Sequence, residues 1–184
     1  MHSLCALGLG LVLVVLWPAA GRADDVDVPE LGVRLTGLPS GAVKPQVVAR
    51  AGGHELTTSV GDAVLTLYRE DAPAPAGSTV ASPAYRSSLD ARFAPTVDSK
   101  TEGAPTAING HSAWTVVDAR RGSGAQTEYV CVTYVMVDQH LYRIAVSASS
   151  ATAARPAEFD ALVRTMSDII FEPLPSAAAP VAPG

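Results

Sequence analysis

The sequence predicts an α+β domain: an antiparallel sheet covered by helices on both faces, built in the order strands, helix, strands, helix. Three observations carry that expectation. Short segments of alternating apolar and polar residues, bounded by Gly, Pro, Asn or Asp, recur through the chain. Two stretches carry apolar residues at helical spacing instead. One long segment, Thr127–Val137, is apolar on both parities, as a strand covered on both faces should be.

The chain begins with a run from Leu4 to Trp17 almost free of polar side chains, broken by Pro18 and followed by Gly21-Arg22-Ala23. A short apolar core with a small-x-small end is what a signal peptidase reads, so residues 1–23 are expected to be a signal peptide cut before Asp24. The run is shorter than the roughly 20 residues of a membrane span. The weak positive charge at its start leaves an uncleaved anchor as the alternative. Asp24 to Asp27 then reads as a solvated acidic lead-in.

Gly32 to Leu38 alternates and stops at Pro39-Ser40-Gly41, which marks a first strand. Gln46 to Arg50 and Glu55 to Val60 flank Gly52-Gly53, a hairpin signal, and Ala63 to Arg69 follows the Gly61-Asp62 turn. A Pro- and Ala-rich loop over 71–78 leads to a helix. Ser82 caps it, Pro83 takes the first position, and Tyr85, Leu89 and Phe93 recur every fourth residue until Pro95.

Thr96 to Glu102 reads as a short strand, and Asn109-Gly110 as a tight turn. Ser112 to Arg120, Thr127 to Val137 and Leu141 to Ser147 then form a meander of antiparallel neighbours. A final helix from Pro156 carries Phe159, Leu162, Val163, Met166, Ile169 and Ile170 on one stripe. The segment 24–173 is thus expected to be a single α+β domain. Leu174 to Gly184 is expected to be a disordered Ala/Pro tail with little apolar surface to offset its ordering entropy.

This order of elements resembles the PsbP-like exported proteins, including the DcrB and LpqN types. The residues that carry the resemblance are the leader, Gly32-Val33-Arg34-Leu35-Thr36-Gly37-Leu38-Pro39, Gly110-His111-Ser112-Ala113-Trp114, Leu141-Tyr142-Arg143-Ile144-Ala145-Val146, and the last helix ending Ile169-Ile170-Phe171. The resemblance spans roughly Gly32 to Phe171 and rests on element order and apolar pattern. It implies an interaction or assembly module and brings no catalytic residues.

Charge and composition narrow the function. The formal net charge is −5, more negative by one if Arg22 is removed, and Lys44 and Lys100 are the only lysines. That balance argues against nucleic acid or an anionic membrane as partner. Beyond the leader the sequence holds one cysteine, Cys131, so neither an internal disulfide nor a Cys-based zinc site is expected.

No Gly-x-Ser-x-Gly pentad is present, and Gly122-Ser123-Gly124 reads as a turn between strands. His54, His111 and His140 are isolated in sequence, without metal-ligand spacing. Asp25 and Asp27 lack the glycine and distal glutamate of a calcium loop. Trp114 reads as core.

No catalytic, cofactor-binding or metal residues are assigned, no cofactor is expected, and an enzyme is not. The expected function is an exported, secreted or periplasmic, non-catalytic interaction or assembly module of the bacterial envelope. Its expected partner is another envelope protein, with no membrane span after signal removal. A carrier of a small apolar ligand, or a hydrolase with a scattered site, stand as alternatives.

Overall fold

The computed structural model describes residues 24–93, 99–100, 103–121, 126–152 and 154–174. The expected signal peptide, the Gly122-Ser123-Gly124 turn and all but Leu174 of the expected tail lie outside the described residues.

The described residues form eleven strands and two helices. In chain order these are β1 (Asp24–Val28), β2 (Val33–Leu38), β3 (Gln46–Arg50), β4 (Gly53–Val60), β5 (Ala63–Glu70), α1 (Pro83–Phe93), β6 (Ser99–Lys100), β7 (Ala104–Ile108), β8 (His111–Arg121), β9 (Thr127–Val137), β10 (His140–Ser150), α2 (Ala157–Ser167) and β11 (Ile170–Phe171). The strands make two antiparallel sheets. A small one has the order β1-β2-β11. A large one has the order β3-β4-β5-β10-β9-β8-β6, with β7 also pairing β8.

The large sheet is two meanders joined along one seam. β3, β4 and β5 follow one another, then the chain leaves through α1 and returns as β6 to β10, so that β10 pairs β5. Tyr142 sits opposite Arg69, and Ile144 opposite Leu67. β9 is buried on both faces. Val130, Val132 and Tyr134 point one way, and Cys131, Thr133 and Val135 the other.

This architecture corrects the expected fold class. The protein is mostly β, with two sheets and two eleven-residue helices, and is not a sheet covered by helices on both faces. Size explains the correction. A helix of eleven residues is about 16 Å long and about 10 Å wide. A sheet with seven strands across is roughly 30 Å wide. One such helix per face leaves most of the sheet bare.

On the first face the small sheet makes up the difference. Leu31, Val33, Leu35 and Leu38 join Phe159, Leu162 and Met166 of α2 over Leu56, Leu65, Leu67, Ile144 and Val146. The second face has less cover. Val80 and Leu89, with half-buried Tyr85, close over Val130, Val132, Tyr134 and Leu141. The β3–β5 part of that face stays open, with Thr57 exposed and Tyr68 and Thr66 half-buried.

Other sequence expectations shift at the ends. Asp24 to Asp27 belongs to β1, where Asp27 pairs with Arg34 at 2.5 Å and the Asp25 carboxylate accepts from the Gly37 amide. The helical stripe stops at Met166. Ile169 is buried beyond the helix, but Ile170 lies in β11 and is exposed. Of the strand expected over Thr96 to Glu102, Ser99–Lys100 is described. Leu174 is half-buried, with its side chain against Gly32.

α1 starts where the sequence places it. The Ser82 hydroxyl accepts from the Tyr85 amide at 3.5 Å, and the Ser82 carbonyl from Arg86. The Arg86 guanidinium lies 3.6 Å above the Trp114 ring while donating to the carbonyls of Val80 and Ala81. Gly103 lies so close to the Trp114 indole that a Cβ there would collide with it. Trp114 is therefore a half-buried packing residue that locks α1 to the sheet.

Candidate functional site

Two regions bring chemistry-bearing side chains together. The first is one end of the large sheet. The strand register places His54, His111 and His140 on one face there, each at or next to the start of its strand. His54 Nδ1 lies 3.0 Å from Asp71 Oδ1, and Arg69 donates to the same oxygen at 2.9 Å. His140 donates to the Glu70 carbonyl at 3.1 Å. His111 packs edge-on against Phe171, which meets Tyr142 in the same way.

The buried Tyr142 hydroxyl donates to the Leu31 carbonyl at 2.8 Å. Its pKa is raised, chiefly by burial. The Asp71 carboxyl is held below its usual range, first by the Arg69 hydrogen bond. These contacts tie the 71–82 loop, β5 and the small sheet together. No group of three metal-ligating side chains close enough to hold an ion is found among the described residues.

Cys131 is 1 % exposed, and burial pushes its thiol up to about 11. The thiolate is the nucleophile, so at pH 8 little of the native side chain is reactive. Native protein is expected to label with a maleimide at least roughly tenfold more slowly than the denatured chain. Equal rates would place the sulfur at an accessible site.

The second region is the corner where the chain passes from β2 to β3. β3 is an edge of the large sheet, paired to β4 on one side only, with Gln46 opposite Thr57 and Arg50 opposite Gly53. Val48 is 47 % exposed and Val43, just before the strand, 54 %. A cleft of about 250 Å³ opens beside it, lined by Val26, Leu38, Ala42 and Val43 between Asp24 and Lys44. The cleft is below the usual 300–1,000 Å³ of a small-molecule site.

The other sheet edges among the described residues are blunted. β1 carries Asp24, Asp25 and Asp27, β6 carries Lys100, and β11 is two residues long. β7 contains Pro105, which has no N–H to offer. Charge, proline and shortness are the usual protections of an edge. β3 has five residues, no proline and no acid, and its one charge is already engaged. Arg50 Nε and Nη2 both donate to Glu55 Oε1, at 3.0 and 2.7 Å.

The edge also borders the open part of the second face. One cross-strand row runs Val48, Glu55, Tyr68, Arg143, Tyr134, Trp114 across five neighbouring strands and onto β8. Tyr68 lies over Gly53, and its hydroxyl reaches the Ala51 carbonyl at 3.3 Å. The row grades from buried at Tyr134 to exposed at Val48, so β3 is its open end.

No protein-family model and no curated protein matches this chain. The site must be read from its own geometry.

Sequence reasoning singled out none of these edge residues. The signal was present in part: Gln46 to Ala49 is an uncharged stretch after a proline, with two β-branched valines at its centre. What it lacked was the pairing partner on each side.

Proposed function

We propose that this protein is a non-catalytic interaction module of the bacterial envelope that captures an extended segment of a partner protein along β3. The observation that carries this reading is the unprotected β3 edge, with exposed Val43 and Val48, in a molecule whose other described edges are blunted. An added strand gains main-chain hydrogen bonds from the edge, and alternate side chains give it selectivity. The partner segment that fits has a small or branched apolar residue opposite Val48 and an acid or amide opposite Arg50.

The resemblance to PsbP-like exported proteins supports the same reading, since that resemblance implies an interaction or assembly role. The space between the large sheet and its cover is filled by Phe159, Leu162, Met166 and Ile169, which favours the edge over an interior ligand site.

The test is capture of envelope proteins by the purified chain and by Val48→Lys. Lysine on an exposed edge strand opposes strand addition. Val48→Lys is expected to keep the wild-type melting temperature and lose roughly tenfold in partner affinity, about 1.4 kcal/mol. Hydrogen exchange of residues 46–50 should slow when the partner binds. Unchanged capture by Val48→Lys would remove β3 from the site.

A further inference from the structure

Edge β3 is complementary to itself. In an antiparallel pair, residues directly opposite share a face of the sheet, and opposite charges across the pair stabilise while like charges destabilise. About a two-fold axis, only registers that pair residues of the same parity are open to this strand. Centring the axis on Val48 sets Val48 against Val48, Val47 against Ala49, Gln46 against Arg50, and Lys44 against Gly52 of the second copy. No like charges meet. Centring it on Val47 instead sets Lys44 against Arg50, which repel.

The Val48 register also uses a donor left over in the monomer. Arg50 commits Nε and Nη2 to Glu55, which leaves Nη1 for the Gln46 amide oxygen of the second copy. The two exposed Val48 side chains, each 47 % accessible, cover one another. The row Val48, Glu55, Tyr68 then continues from one copy into the next across the axis.

We infer that, when no partner strand is bound, β3 is capped by β3 of a second copy, paired antiparallel about a two-fold axis at Val48. This inference rests on β3 being the docking edge. It adds a control on that edge: the partner segment must displace the second copy, so free chain concentration sets how readily the edge is available. Five paired residues a side make a contact below the roughly 1,200 Å² of a stable interface, so the dimer is weak and concentration-dependent.

The experiment is sedimentation velocity of the chain, purified as the cell delivers it, across a wide concentration range at about 0.15 M salt, where the Debye length of about 8 Å silences distant charges. Wild type is expected to pass from monomer to dimer. Gln46 is exposed, so its replacement leaves the core alone. Each dimer contains the Gln46–Arg50 contact twice. Gln46→Glu is therefore expected to tighten the dimer, and Gln46→Lys to weaken it, each by roughly two- to tenfold.

Opposite shifts from those two variants support the Val48 register. A monomer at every concentration, or the same response from both variants, overturns the inference. A monomer whose residues 46–50 gain exchange protection on partner binding would overturn the second copy while leaving the docking edge standing. Partner capture unaffected by Val48→Lys would remove both.

Discussion

Leu162→Ala is expected to destabilise the protein by roughly 2–5 kcal/mol, the range for a buried leucine that leaves a partly collapsed cavity. Leu162 is fully buried in α2, between Phe159 and Met166, where the helix meets the large sheet and β2. Both sheets lose packing if that side chain is cut back. Against a total of about 5–15 kcal/mol the loss is a large share of the stability.

Asp160 on the same helix is the comparison. Its carboxylate pairs with Arg155 at 2.8 Å with both side chains well exposed, so Asp160→Ala should cost no more than about 1 kcal/mol. Denaturant midpoints of the two variants check this. Similar midpoints would mean that α2 is a docked surface element and not part of the core.

Gly53→Ala is expected to cost at least the upper part of the roughly 1–3 kcal/mol seen on overpacking. Gly53 is buried at the start of β4, opposite Arg50 of β3 and Glu70 of β5. A Cβ there would run into the Arg69 carbonyl oxygen and the Tyr68 ring. The ring can swing aside. The carbonyl belongs to the β5 backbone and cannot move without opening the β4–β5 ladder.

The damage should spread to the docking edge, because β3 is held in the sheet by β4. Hydrogen exchange of residues 46–50 is expected to quicken in Gly53→Ala along with the drop in denaturant midpoint. A variant within about 0.5 kcal/mol of wild type, with unchanged exchange in β3, would show that the strand start relaxes freely.

Much of the local structure was legible in the sequence. The β3–β4 hairpin follows from Gly52-Gly53, and α1 from Ser82-Pro83 and the spacing of Tyr85 and Leu89. The strand Thr127–Val137 has the expected bounds, and apolar residues on both parities marked its burial on two faces. These features depend on periods of two and 3.6 and on turn chemistry within a few residues. β1 escaped because Asp24, Asp25 and Asp27 read as solvated charge. A strand partner was needed to show that Val26 and Val28 share its other face.

By itself the sequence determined both helices, the strands β2 to β5 and β8 to β10, and the tight turns between them, while β1, β7 and β11 were not legible in it. Only the tertiary structure decided the two sheets and the free edge. β2 pairs with β11 through Arg34 and Ile170, and β5 with β10 through Arg69 and Tyr142. No local period records such contacts, because a strand's alternation fixes which face is buried and says nothing about which distant strand lies beside it. The edge of β3 is open for that same reason: its exposure is set by what the rest of the chain pairs with elsewhere.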